Sequence, residues 1–301
     1  MAAVKRVLVL SDARLGHVNQ SIAYAKYLGY EHDVVEVVFK SKVSKIFSYI
    51  FDALKIRTGI LFQTKVHRRY DIVVGTGSST YYAVKVLAKK MHAKSVTMML
   101  PRGYRYDFDV IFAQNHDNPV KKDNIIEIPS NFAYVEPKGL YKAKKKSIAI
   151  VLGGDSKVFS MQEKEIAAYL DFIMKYYKGY EMVLSTSPRT SKKIEVLLEM
   201  YNFAYQVIFS QNPINPMADF LKECEMICIT GDSTSMISEA ISYGKSAVLV
   251  LPLESKGKNK FETFMQALEK KGYLHIFNGN IEQKNKKINF LTYIYKANEI
   301  I

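Results

Sequence analysis

Cysteine is nearly missing from this chain: only Cys224 and Cys228 occur in 301 residues. Two thiols cannot staple a disulfide scaffold or supply a Cys-rich zinc or iron–sulfur site, and so low a count fits a reducing compartment. Long apolar runs are missing as well. The run Val7-Leu8-Val9-Leu10 meets Asp12 and Arg14 at once, too soon for a signal peptide. No later run approaches the roughly 20 residues that a spanning helix needs. The expectation is a cytoplasmic protein without a spanning helix. The chain also lacks the GxGxxG fingerprint and the P-loop spacing with its lysine. Nicotinamide or flavin binding and nucleoside triphosphate hydrolysis are therefore not indicated. There is no repeat at solenoid period and no low-complexity tract.

Positive charge is what the chain has in excess. Lys and Arg number 43 against 29 Asp and Glu, a net charge of +14. Divided after Lys146, the first part holds 25 basic and 12 acidic residues and the second 18 and 17. A field so lopsided suits an anionic partner: nucleic acid, an anionic membrane surface or a phosphorylated lipid. No RNA-recognition or zinc-finger signature accompanies the many aromatic residues, so nucleic acid is not the expected partner.

Short apolar strands alternate with amphipathic helices from end to end. Strands are expected at 7–10, 33–39, 71–75, 95–100 and 109–113, with helices near 19–28 and 81–91. Residues 136–146, with Pro137, Gly139 and three consecutive lysines, have no apolar period and read as a linker. The pattern then restarts, with strands near 147–152, 181–184, 206–209, 226–230 and 247–251. The segment 287–298 is ambiguous between helix and coil. Such alternation predicts parallel sheets. The expected architecture is α/β: two Rossmann-like domains, 1–140 and 147–301, facing a cleft, with ligands beyond the carboxyl ends of the strands.

Five loops after strands are candidates for chemistry. The first, 11–21, carries Asp12, Gly16, His17, Asn19 and Gln20. A histidine there can take a proton from a hydroxyl, and Asp12 can orient it or replace it. The second, Gly75-Thr76-Gly77-Ser78-Ser79-Thr80, offers backbone N–H groups and hydroxyls to an anion. The third brings Gly153 and Gly154, which let a diphosphate or the facing domain come close. The fourth places Ser187 and Arg189 in a Ser-Thr-Ser-Pro-Arg-Thr turn, a phosphate or sugar clamp. The fifth, Thr230-Gly231-Asp232-Ser233-Thr234-Ser235, opens a helix. It makes an anion cradle from backbone N–H groups and the helix dipole. Glu239, about a turn and a half into that helix, can accept two ribose hydroxyls. Two features point nowhere. Asp107-Phe108-Asp109 spells a metal–nucleotide motif, but Asp109 opens an apolar strand. Cys224 and Cys228 have no ligand cluster beside them. No metal is expected.

The basic segment 40–57 is different in kind. Val43, Ile46, Phe47, Ile50 and Leu54 repeat at helical spacing among Lys42, Lys45, Lys55 and Arg57. Two readings stay open: a helix lying on an anionic membrane surface, or one packed on the sheet with a solvated basic face.

Taken together, the motifs resemble a known family. They are Gly16-His17-x-Asn19-Gln20-Ser21, Asn115-His116-Asp117-Asn118-Pro119, Leu152-Gly153-Gly154, Thr186-Ser187-Pro188-Arg189-Thr190 and Thr230 to Ala240 followed by Gly244-Lys245. In this order they resemble the ELM-type family, which carries a mitochondrial-fission label in plants and looks like GT-B glycosyltransferases in bacteria. The architecture is similar to that of the enzyme that adds N-acetylglucosamine to the lipid-linked peptidoglycan precursor. The resemblance implies a metal-independent glycosyltransferase without a cofactor. Gly153, Gly154, Ser187, Arg189, Ser233, Thr234 and Ser235 would surround the donor diphosphate, and Glu239 would hold the ribose. His17 or Asp12 would be the base, with His116 and Asp117 as the rival pair. Gly16, Asn19, Gln20, Thr76 and Gly77 are the expected acceptor contacts. The expected partners are a nucleotide sugar, a lipid-linked or saccharide acceptor of cell-envelope glycan or lipopolysaccharide assembly, and the inner face of the cytoplasmic membrane. A nucleotide-sugar epimerase or hydrolase and a non-catalytic membrane-surface adaptor are the alternatives.

Overall fold

The computed structural model describes residues 5–255, 257, 259–281 and 284–301. The chain divides into two compact units: residues 1–134 with 289–301, and residues 135–288.

The first unit is built on six parallel strands: β1 (Arg6–Ser11), β2 (Glu31–Glu36), β3 (Ile72–Gly75), β4 (Lys94–Thr97), β5 (Val110–Gln114) and β6 (Ile125–Ile128). Their order is β2-β1-β3-β4-β5-β6. Continuous apolar runs form the inner strands because both faces are covered. Val7, Leu8, Val9 and Leu10 are all buried. Helix α1 (Leu15–Leu28) follows β1 and stops at Gly29, whose φ of 69° closes the last turn as only glycine does without strain. Helix α2 (Lys42–Ala53) precedes β3, and α3 (Tyr81–Met91) links β3 to β4.

The expected strand at 33–39 is broken in two. β2 ends at Glu36, and Val38–Phe39 pairs antiparallel with Phe62–Gln63 in a separate ribbon.

The second unit repeats the plan. β7 (Ser147–Val151), β8 (Glu181–Ser185), β9 (Tyr205–Val207), β10 (Met226–Thr230), β11 (Ala247–Leu251) and β12 (His275–Ile276) lie parallel in the order β9-β8-β7-β10-β11-β12. The connecting helices are α4 (Glu163–Tyr176), α5 (Lys192–Leu198), α6 (Met217–Glu223), α7 (Thr234–Ser242) and α8 (Lys260–Lys270). Among the described residues no helix is long and apolar enough to cross a membrane.

The boundaries differ from the expected ones at two places. The C-terminal segment folds as α9 (Leu291–Ile300) and belongs to the first unit, not the second. Phe290 explains this: its ring stacks on Phe132 at 4.5 Å and packs against Tyr27. The segment read as a linker is fastened to the second unit. The Asp219 carboxylate accepts from the backbone N–H groups of Lys138, Gly139 and Leu140. With these boundaries the first unit carries 21 basic and 12 acidic residues and the second 22 and 17. The three consecutive lysines fall in the second unit, so the charge excess is shared more evenly than a cut after Lys146 suggests.

In each sheet the strand order reverses once, between β1 and β3 and between β7 and β10. Leu10 pairs with Gly75 and Ile229 with Val151, so the loops that leave these strands start side by side. Crevices at such reversals are where open α/β sheets bind ligands.

Candidate functional site

In the first unit the reversal brings together loops 60 residues apart in the sequence. His17 Nδ1 lies 2.9 Å from Asp12 Oδ2, and the other Asp12 oxygen accepts the Arg14 backbone N–H at 3.2 Å. In the tautomer in which Nδ1 donates to this carboxylate, a neutral imidazole keeps its lone pair on Nε2. The geometry suits Asp12 as an orienting partner for His17, the pairing expected of a base and its carboxylate. Gly77, at φ 91°, turns its bare Cα to the imidazole; a Cβ there would meet the ring. Ser21 and Thr76 hydroxyls join at 2.8 Å and lock the two loops.

The expected acceptor contacts separate by burial. Gly16 and Asn19 are exposed. Gln20 and Thr76 are buried, and Gln20 donates to the Gly16 carbonyl at 3.1 Å. Thr76 and Gln20 therefore shape the loops from within.

The rival pair sits at the end of β5. His116 and Asp117 lie on a single turn, Asn115–Asp117, and Asp117 pairs with Arg102 at 3.0 Å. Both carboxylates, Asp12 and Asp117, are felt by one buried hydroxyl, that of Tyr81. Burial pushes this phenol up, Gly77 and Thr97 hold it down by hydrogen bonding, and Asp117 and Asp12 raise it again. The two candidate pairs thus share one end of the sheet.

Lys45 completes this end of the unit. It donates to Ser78 and Ser79 at 3.2 and 3.0 Å. A cavity of about 330 Å³ is lined by Asp12, Val38, Ser41, Lys42, Lys45 and Ser79. Read from sequence, Lys45 is one charge on a basic helix; its contact with the 75–80 loop has no local signal.

The Asp-Phe-Asp motif is occupied by structure. Asp107 pairs with Lys85 and Arg57, and Asp109 accepts from the Ser95 backbone and hydroxyl at 2.8 and 2.7 Å. Among the described residues no group of three or more His, Cys, Asp or Glu is placed to hold a metal ion.

In the second unit Asp232 is the hub, a role the sequence did not mark. One oxygen accepts the Thr230 hydroxyl at 2.7 Å. The other accepts the Gly154 N–H at 3.1 Å and the Arg189 guanidinium at 2.6 Å. Arg189 also donates to the Gly154 carbonyl at 3.1 Å. The glycines earn their place here: a Cβ at Gly153 would strike the Asp232 carboxylate, and one at Gly154 the Arg189 carbonyl. Ser187 donates to the Gly153 carbonyl at 2.8 Å. Loops three, four and five are thus bound to one another, and the Arg189 charge is balanced within them.

Beside them α7 presents its N-terminus. Ser233 caps it by accepting the Met236 N–H at 3.4 Å, and Ser235 is exposed. Farther along, the Glu239 carbonyl accepts the Ser242 hydroxyl at 3.1 Å, while its side-chain carboxyl has no ion-pair or hydrogen-bond partner among the described residues. Burial pushes its carboxyl up to about 7. Lys287, pushed down to about 8 by burial, donates to the Ala240 carbonyl near the other end of α7.

Known proteins share this architecture. A putative UDP-N-acetylglucosamine 2-epimerase from Listeria monocytogenes is similar with a TM-score of 0.54 at 11% identity, over 99% of this chain and 88% of that one. The glycosyltransferase SnogD from Streptomyces nogalater is similar with a TM-score of 0.51 at 14% identity, over 98% of this chain and 94% of that one. These likenesses show the fold, a GT-B type α/β plan with two parallel six-stranded sheets. A relative in sequence, described as "Uncharacterized protein RP120" from Rickettsia prowazekii (strain Madrid E), is 25% identical over 91% of each chain. The family model described as "Mitochondrial fission ELM1" matches residues 15–296, and on that match the chain belongs to this family.

Proposed function

We propose that the protein is a nucleotide-sugar-dependent glycosyltransferase. It acts on a hydroxyl of a lipid-linked or saccharide acceptor in cell-envelope glycan or lipopolysaccharide assembly, at an anionic membrane surface. The observation that carries this reading is the His17–Asp12 dyad at the strand reversal of the first sheet. In this reading Nδ1 donates to Asp12 and Nε2 keeps the lone pair that serves as the base. The names of the structural neighbours, a glycosyltransferase and a UDP-sugar epimerase, support a nucleotide sugar as substrate.

In this reading the acceptor hydroxyl gives its proton to His17 Nε2 as its oxygen bonds the anomeric carbon. The bond from that carbon to the diphosphate breaks, and the diphosphate leaves with the electron pair. Charge grows on the leaving oxygen. The N-terminal N–H groups of α7, with the Thr234 and Ser235 hydroxyls, stabilise it. Glu239 takes the ribose hydroxyls. Arg189, already paired with Asp232, holds the three loops in place and meets the diphosphate by turning part of its guanidinium outward. No metal is called on.

The test incubates labelled nucleotide sugars with envelope lipid and saccharide extracts. Label passing to an acceptor with wild type, and not with His17→Ala, is the expected result. Isomerised or free sugar formed without acceptor would establish the epimerase or hydrolase instead. Protein that binds anionic vesicles and turns over no nucleotide sugar would establish the adaptor.

A further inference from the structure

Helix α2 turns an apolar stripe outward. Val43, Ile46, Phe47, Ile50 and Leu54, its apolar stripe, stand 44 to 65% exposed. The face turned to the protein mixes aromatic and polar groups: Tyr49, stacked on Tyr104 at 4.4 Å, and Phe51 pack against the core beside two buried polar side chains. Ser48 and Asp52 are fully buried, Ser48 bonded to the Tyr104 hydroxyl at 2.8 Å. Asp52 pairs with Lys85 at 2.8 Å and with Arg57 at 3.1 Å, and accepts the Arg105 N–H at 2.7 Å. A surface helix normally buries its apolar stripe. Here a buried ion-pair cluster and two inward aromatic rings hold the helix while five large apolar side chains meet water. Val38, Ile56 and Ile60, also exposed, extend the patch at both ends of the segment.

The charge of the segment says what covers it. Residues 37–70 contain eight basic residues and one carboxylate, Asp52, which is buried. Lys40, Lys42 and Lys55 flank the stripe in sequence and are exposed. A second copy laid face to face would oppose these lysines to their own equivalents. An anionic bilayer matches both layers at once: acyl chains for the stripe, headgroup phosphates for the lysines.

We propose that this outward face of α2 seats the first unit on an anionic lipid bilayer. It gives a surface to the membrane partner in the reading above and rests on that part of it. The cavity beside Asp12 is lined by Val38, Ser41 and Lys42, residues of the same segment, so a docked bilayer lies next to the His17 base.

The chain contains no tryptophan, which makes a clean probe available. Phe47→Trp in the full chain is titrated with vesicles of phosphatidylglycerol and phosphatidylcholine, and with phosphatidylcholine alone. Met200→Trp, 81% exposed in the second unit, is the control. The proposal expects a blue shift for the Phe47 probe on anionic vesicles and none for the control. In vesicle flotation, Ile46→Ser with Ile50→Ser weakens binding by roughly tenfold or more per position. Lys42→Glu with Lys55→Glu weakens it by about fivefold or more per residue. These side chains are exposed, so the variants keep the fold, and circular dichroism verifies it. Vesicle binding absent in wild type, or equal in all variants, overturns the proposal. So does a dimer in sedimentation that the isoleucine substitutions dissociate, since a second copy then covers the face. Nucleotide binding measured without vesicles tests the donor site separately.

Discussion

The imidazole of His17 is held by one carboxylate, and in the proposed mechanism Asp12 fixes which nitrogen is protonated. Asp12→Asn keeps the size but presents an amide that can donate to Nδ1 and reverse the tautomer. We expect kcat to fall roughly 10²- to 10⁴-fold with nucleotide affinity unchanged; a variant with near-normal turnover moves the base to His116 and Asp117. Glu239 gives a second prediction at this scale. Its carboxyl has an ordinary value of 4.5 and stands at about 7 in the fold, so folding disfavours the ionised form. This group therefore costs no stability below about pH 4.5, costs more as pH rises, and costs most above about 7. Glu239→Gln should raise Tm at pH 8 and leave it unchanged at pH 4.5. Ribose hydroxyls are best accepted by the ionised form, so nucleotide affinity should rise from pH 6 to 8 in wild type and be weak and flat in Glu239→Gln. An unaltered affinity in the variant removes Glu239 from the donor site.

Elements were legible to different degrees, and the reason is the range of the forces that make them. Parallel strands buried on both faces read as unbroken apolar runs, and β1, β3, β7, β10 and β11 lie within a residue or so of where such runs predict them. Gly29 marks the end of α1 because its left-handed backbone is a local requirement. The outward turn of the α2 stripe was not legible. Its stripe fits a membrane face and a core face equally, and the choice is made by Asp52 reaching Lys85, 33 residues away. The same limit hid Asp232: the fifth loop was visible as a motif, but nothing local pairs its carboxylate with Arg189, 43 residues earlier. Asp52→Ala tests the packing of α2. It leaves Lys85 and Arg57 without their buried counter-charge and should cost roughly 3–5 kcal/mol in urea unfolding. A loss under about 1 kcal/mol would mean that α2 is held by something else.

At the scale of the whole chain, two units repeat one plan, and the C-terminal segment returns to the first. That return was invisible in the sequence because α9 is fixed by Phe290 against Phe132 and Tyr27, contacts more than 150 residues away. Phe290 is 1% exposed, and Phe290→Ala should destabilise the first unit by roughly 3–5 kcal/mol. Hydrogen exchange should quicken in β5, β6 and α1 and stay unchanged in β7 and β10; faster exchange in the second sheet would contradict the assignment of α9. The proposed transferase reading rests on a donor site in the second unit, and the most direct test of it is calorimetry of the purified protein with UDP, GDP, ADP, TDP and CMP, with and without Mg²⁺. Selective binding of one nucleotide, independent of Mg²⁺ and lost in Glu239→Ala, is the predicted result. Binding of none of them would contradict the transferase reading and leave a membrane-surface adaptor in its place.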